Sequence, residues 1–333
     1  MKKSVAIISA GVLAVTIVAA YYLFFAKASP ATDITWGVDF SQMRAESLRL
    51  DWRETYLAIF DDLGVKNIKL HTQWDFVEGT RGSFYFNDID WQLLQANNYD
   101  AQIIYVVGMK TGRWPECHVP DWATALSQKD QQDALLEYIK EAVLRYKDNT
   151  AIVAWQAENE PLFKFGQCPW YDRDFLKQEV TLIKSLDNTR PVIVSDTGEQ
   201  SLWWQAAGIG DVVGTTLYRV AWIHLTNKAG FYLHFPLSPF TYWARAQLVE
   251  GVFHKKVINV ELQAEPWIPN SSYDALLQNQ SKNMDVKQFQ ANIAYAKHTG
   301  FDTFYLWGVE WWYWLKETQS KPEIWNEATK LFQ

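Results

Sequence analysis

Ile152-Val153-Ala154-Trp155-Gln156-Ala157-Glu158-Asn159-Glu160-Pro161 begins as a short apolar run and ends in three polar residues and a proline. An apolar run of that length with β-forming residues reads as a buried strand. Proline has no N–H for a sheet ladder, so the strand stops before Pro161. A strand that leaves the core at Glu158, Asn159 and Glu160 carries carboxylates at its C-terminal tip. Barrels of alternating strands and helices keep their catalytic groups there. The same letters also fit a helix N-terminus, with Asn159 as cap and Pro161 in the first turn. The surrounding chain decides.

Outward from this stretch, strand-then-helix units follow one another without internal sequence similarity. Upstream, strands are expected over Ile34–Val38, ending at Asp39, over Asn67–Leu70, followed by His71, and over Ala101–Val107. Helices are expected over Trp52–Leu63, around Ile89–Ala96 and over Gln128–Tyr146. The last of these places Leu135, Tyr138, Ile139, Ala142 and Val143 on one face. Downstream, strands are expected over Pro191–Ser195, Asp211–Leu217, Lys256–Val260 and Asp302–Trp307. Helices are expected over Arg173–Leu186, Trp203–Ala207, Val286–His298 and Pro322–Leu331. Eight strands alternating with helices over about 300 residues predict an α/β chain folded as a (β/α)8 TIM barrel. A doubly wound open sheet is the alternative, but no Gly-rich phosphate loop follows the first strand.

The chain has 333 residues, 48% hydrophobic and 21% charged, enough to bury a large core. Its net charge of −7 gives no basic stripe and argues against nucleic acid as a partner. Aromatic residues make up 16%, with 18 Trp, and flat rings are what the faces of sugars stack on. Composition favours a neutral, ring-shaped ligand over a polyanion.

Met1-Lys2-Lys3 precedes Val5–Phe25, 21 residues without a charge, which is long enough to cross a bilayer. A secretory apolar region runs about 7–15 residues, so the stretch reads as an N-terminal single transmembrane helix, a signal-anchor. Ala26-Lys27-Ala28 is the competing sign of cleavage. Lys2 and Lys3 keep the N-terminus cytoplasmic and place the rest outside. The expected division is residues 1–28 as anchor and 29–333 as catalytic domain, with a short linker at Ser29–Asp33. The two cysteines, Cys117 and Cys168, sit in loops after predicted strands. Outside the cytoplasm they can bridge neighbouring loops or remain free thiols.

Two strand tips deliver isolated carboxylates, Glu160 and Glu261, 101 residues apart in sequence. Barrel closure can bring such tips to face each other across the mouth. Glycosidic hydrolysis needs this pair: one carboxylic acid protonates the departing oxygen while the other carboxylate attacks the anomeric carbon. The acid must stay protonated near neutral pH, which burial and a neighbouring carboxylate accomplish. Glu265 is a rival nucleophile four residues on, and Glu158 a rival acid. Glu116-Cys117-His118 lacks zinc-site spacing, so no metal or other cofactor is expected.

Trp155-Gln156-Ala157-Glu158-Asn159-Glu160-Pro161 resembles the Asn-Glu-Pro signature of the glycoside hydrolases of clan A, retaining (β/α)8 enzymes. Val257-Ile258-Asn259-Val260-Glu261-Leu262 is similar to the clan's strand-seven nucleophile segment. The resemblance implies Glu160 as acid/base, Glu261 as nucleophile and Asn159 as partner of the sugar 2-hydroxyl. It also implies Tyr218 beside the nucleophile and Trp307 as platform under the sugar. One departure is Lys69, where many clan members carry an Arg that supports the nucleophile; Lys supplies charge but no bidentate fork. Trp74, Trp114 and His71 are expected at the catalytic face, as subsite walls or as packing. Glu310, Trp311 and Trp312 read either as a cleft wall or as an aromatic cluster. The aromatic excursion from Trp222 through Phe231 and Phe235 to Trp243 reads as a lid over the barrel rim. The competing reading is a segment that dips into a membrane interface. The expected activity is glycosidase; the alternatives are a barrel that binds glycans without cleaving them, or a transglycosylase.

Overall fold

Eight parallel strands close on themselves in this computed structural model, which describes residues 2–226, 229–267 and 283–333. In chain order they are β1 Thr35–Phe40, β2 Asn67–His71, β3 Gln102–Val107, β4 Ile152–Ala157, β5 Val192–Asp196, β6 Val212–Leu217, β7 Val257–Gln263 and β8 Thr303–Trp307. β8 pairs back onto β1. The strands are buried on both faces, as a parallel sheet covered by helices requires. A large apolar cluster lies between strands and helices. Inside the barrel Ile104, Ala154, Ile193, Ile258, Val260 and Tyr305 form a small second core.

The helices over Gln128–Tyr146 and Arg173–Leu186 coincide with the expected ranges. Their amphipathic period is clear and their N-caps are built. Ser127 accepts from the N–H of Asp130, and Asp172 accepts from the N–H groups of Asp174 and Phe175. No helix starts at Asn159: the chain turns after Ala157 and the next helix begins at Arg173. Cys117 and Cys168 are joined in a disulfide. It ties the loop after β3 to the loop after β4.

The excursion beyond β6 is a hairpin, Val220–Thr226 paired with Ala229–His234, with Trp222 opposite Tyr232. A helix over Phe240–Phe253 follows it. That helix and the one over Val309–Gln319 were not expected from sequence. Both are so rich in apolar and aromatic residues that no polar face marks their period.

Two register shifts position the site. Thr215 and Thr216 of β6 pair with Asn259 and Glu261, and Phe304 and Leu306 of β8 pair with Asn259 and Leu262. Both neighbours therefore see one extra residue in β7 at Val260–Glu261. Such a bulge bends the strand and re-aims a side chain, here Glu261.

The N-terminal helix spans Lys2–Phe24. Among the described residues no helix is long and apolar enough to cross a membrane, and several side chains of this helix lie outside the described set. The fold therefore carries the barrel and not the transmembrane reading. The end of the helix is docked. Ser238 donates its N–H to the carbonyl of Leu23 (2.8 Å) and its hydroxyl to that of Tyr22 (2.6 Å), and Tyr22 packs on Phe240 at 4.8 Å.

Candidate active site

At the C-terminal mouth of the barrel a cavity of about 670 Å³ is lined by Asn159, Glu160, Tyr218, Glu261 and Trp307. Glu160 sits at the tip of β4, and the backbone there is held unusually: Glu158 and Glu160 have φ of 57° and 46°. Non-glycine residues in the left-handed region carry a conformational cost that the surroundings must hold in place. Ser195 of β5 accepts the N–H of Glu160 at 2.8 Å, and the buried Lys110 donates to the Glu160 carbonyl at 2.9 Å. The side chain is aimed by Thr216 of β6, which donates to Glu160 Oε1 at 2.8 Å.

Glu261 is held by three donors. The Tyr218 hydroxyl donates to Oε1, Asn159 Nδ2 donates to Oε2 at 3.2 Å, and Lys69 Nζ lies 3.4 Å from Oε2. Lys69 is fully buried and also donates to Asp39 (3.2 Å), to Asn159 Oδ1 (3.2 Å) and to the Val260 carbonyl (3.0 Å). Because Asn159 Oδ1 accepts from Lys69, its amide nitrogen is left facing Glu261. Lys69 thus supplies positive charge in direct contact with Glu261, as a point charge in place of a fork.

The two glutamates are pushed apart in protonation. Burial, then the charge of Glu261, raises Glu160 to about 8. Burial also acts against the charged form of Glu261, but Lys69, the Tyr218 hydroxyl and Arg113 outweigh it and hold Glu261 below the usual carboxylate range. One carboxyl is protonated and the other ionised at neutral pH, the division of labour that acid and nucleophile roles require.

The rivals are occupied elsewhere. Glu158 Oε1 accepts the N–H groups of Met109 (3.0 Å) and Lys110 (3.4 Å). Its side chain crosses Gly108, whose φ is +131° and where a Cβ would lie 2.5 Å from Glu158 Cγ. Glu265 borders the cavity but is paired with Arg113 at 2.6 Å and Arg44 at 3.3 Å. Arg113 also pairs with Glu310 at 2.8 Å and lies 4.4 Å from the Trp307 ring centroid, so one face of that platform is covered.

Of the other expected residues, Trp114 is half exposed and lines the cavity. Trp74 does not. It is fully buried, donates its indole N–H to Glu78 at 2.8 Å and stacks on Tyr138, so its role is packing. His71 is buried behind the site against Asp39 and the Thr111 carbonyl. Burial, then Lys69, keeps it neutral by lowering its pKa well below the ordinary histidine value. Trp311 and Trp312 are buried in a helix, and Glu310 is buried against Arg113 and the N–H of Ser41. Sequence reading missed Thr216, Ser195, Glu199, Phe165 and Trp267, and weighed Glu116 only as part of a metal motif. Of these only Glu199 was marked by position, just beyond β5.

A family model described as Glycosyl hydrolases family 2, TIM barrel domain, matches residues 62–220. Over 72 residues the chain is 39% identical to a probable mannan endo-1,4-beta-mannosidase A-1 of Aspergillus terreus. That stretch is 22% of this chain and 18% of the relative, so the chain matches under a fifth of that protein's length. Among solved structures, GH5_18 from Streptomyces cattleya in complex with GlcNAc has a TM-score of 0.59 at 11% identity, covering 85% of this chain and 71% of that one. A beta-galactosidase from Bacillus circulans sp. alkalophilus has a TM-score of 0.53 at 13% identity, covering 82% and 50%. The intracellular xylanase of Thermoanaerobacterium saccharolyticum has a TM-score of 0.53 at 13% identity, covering 83% and 86%. At these identities the structures share the fold, and the assignment leans on the family match and the mannosidase segment. Taken with the closed barrel, they support a glycoside hydrolase of clan A.

Proposed function

We propose that the protein is a glycosidase that cleaves β-glycosidic bonds by double displacement with retention. The observation that carries this reading is the pair of buried glutamates in one cavity with opposed protonation, Glu160 raised to about 8 and Glu261 lowered. In the first step a Glu261 oxygen bonds to the anomeric carbon. The bond from that carbon to the leaving oxygen breaks, and the leaving oxygen takes the proton of Glu160. Thr216 occupies Oε1, so Oε2 of Glu160 is the oxygen left to carry the proton. Esterification removes the charge of Glu261, which is one cause of the raised pKa of Glu160. The acidity of Glu160 therefore rises at the stage where it must stay ionised and accept a proton from water. Water bonds to the anomeric carbon, the ester bond to Glu261 breaks, and both carboxyls return to their starting states.

Asn159 is placed to hydrogen-bond a sugar hydroxyl while holding Glu261, and Trp307 and Trp114 offer ring faces to the sugar. We further propose that the chain is exported and held to a membrane by its N-terminal helix. Supporting this, the helix runs Lys2–Phe24, and Val12, Leu13, Val15, Ile17 and Val18 are all more than half exposed. The substrate is an oligo- or polysaccharide or a related glycoside.

The test is a panel of aryl and alkyl β-glycosides with β-glucan and β-mannan oligosaccharides, run with wild type, Glu160→Gln and Glu261→Gln. Loss of activity by both variants, with azide restoring turnover to Glu261→Gly, is the expected result. A folded protein that binds oligosaccharides but releases no product overturns the reading.

A further inference from the structure

The N-terminal helix meets the barrel at its catalytic end. Ser238, which caps the carbonyls of Tyr22 and Leu23, lies three residues after Phe235, and Phe235 lines the cavity. The N–H of Phe235 is bonded to the carbonyl of Arg219 at 3.0 Å, just past the C-terminal end of β6. From the docking point the chain runs to the opposite end of the barrel, where the N–H of Ala28 reaches the carbonyl of His298 at 3.0 Å and β1 begins. The docked end of the helix therefore adjoins the segment that follows the hairpin.

The same sector of the rim carries the hairpin. Ala221, Trp222 and Ile223 of its first strand continue the wall of the cavity that contains Glu160 and Glu261. Beyond the cavity the hairpin exposes large apolar side chains, Leu225 at 69% and Phe231 at 46%. Apolar side chains thus lead from the cavity that holds the two glutamates outward along the hairpin toward its exposed end, while the N-terminal helix docks just past the hairpin's base. A glycan in water has no use for such a track; the hydrocarbon part of an amphiphile does, and aromatic residues favour the interfacial zone it comes from.

We propose that the cleft takes the sugar headgroup of a membrane-held amphiphilic β-glycoside, a glycolipid, whose hydrocarbon part lies along the paired strands Val220–Thr226 and Ala229–His234. The proposal rests on the glycosidase and anchor readings above. Its test uses the full chain in phosphatidylcholine vesicles, with methyl and octyl β-glycosides of glucose, mannose and galactose and the matching aryl glycosides. Each methylene that the hairpin takes out of water strengthens binding roughly fourfold, so three give roughly sixtyfold. The expected result is a kcat/KM at least tenfold higher for the octyl than for the methyl glycoside of the favoured sugar. That ratio should collapse toward one in a Leu225→Ser, Phe231→Ser double variant. Both side chains are exposed, so their loss removes apolar surface and no core packing. A wild-type ratio near one, or a ratio unchanged in the double variant, overturns the proposal, as does cleavage of the aryl glycosides alone; in each case the hydrolase reading stands. No cleavage of any glycoside overturns both.

Discussion

Replacing Tyr218 with Phe deletes one hydrogen bond to Glu261 and leaves the ring where it is, edge-on to Trp267 at 5.2 Å and to Trp307 at 5.7 Å. The lost hydroxyl served Oε1; Oε2 keeps Asn159 and Lys69. A hydrogen bond to a charged group contributes about 1.5–3 kcal/mol. At about 1.4 kcal/mol per pH unit, that amounts to one to two units of proton affinity. The sign follows from which form is stabilised. The Tyr218 hydroxyl donates to the ionised form and is one cause of the lowered pKa of Glu261, so its removal moves that pKa up. The acid limb of kcat/KM, set by ionisation of Glu261 in the free enzyme, should therefore rise by about one to two pH units. The alkaline limb, set by loss of the proton from Glu160 near a pH of about 8, should stay in place because Glu261 is charged there in both proteins. The assay is kcat/KM for an aryl β-glycoside across the full pH range. An acid limb that does not move, or two limbs that move together, refutes the assigned roles.

Further expectations concern the supports of the site. Lys69→Met removes the buried charge shared by Asp39 and Glu261. Breaking a buried ionic arrangement from one side costs about 3–5 kcal/mol, so chemical denaturation should show a large loss of stability and the acid limb should rise as well; an unchanged unfolding midpoint contradicts the account. Cys117→Ser with Cys168→Ser reopens a loop of 51 residues, worth about 4 kcal/mol in chain entropy. The bridge ties the loops that bring Trp114 and Phe165 to the cavity, so KM should rise more than kcat falls. A variant with wild-type stability and KM would contradict that view of the bridge.

The parts of this molecule that sequence reveals are those in which one local pattern decides the outcome. The strand at Ile152–Ala157 is an apolar run stopped by polar residues and a proline, and the helix Gln128–Tyr146 repeats its apolar face for five turns between a serine cap and a turn. Glu261 stands out because it ends such a run directly, and Glu160 because it closes the polar tip that follows one. The helix at Phe240–Phe253 was hidden because Phe, Trp, Leu and Val fall all around it, and the hairpin before it because its aromatics obscure the alternation of a strand. Thr216 and Ser195 carry no mark at all. They are small polar residues inside apolar strands, and only the barrel's register sets them against Glu160. Trp74 misled for the opposite reason. Its position after β2 is that of a subsite residue, but its indole N–H reaches Glu78 four residues on and the ring turns into the core. The bulge at Val260–Glu261 is likewise invisible in sequence, because it exists only relative to the strands on either side.

The most direct test of the central claim, that Glu261 forms a covalent glycosyl intermediate while Glu160 serves as acid and then base, is the configuration of the first product. Hydrolysis of an active β-glycoside is followed in D2O by proton NMR at the anomeric position, before mutarotation blurs the signal. The account predicts that the β-anomer appears first and the α-anomer grows in only by mutarotation. First appearance of the α-anomer would mean direct attack by water, and would contradict the role given to Glu261.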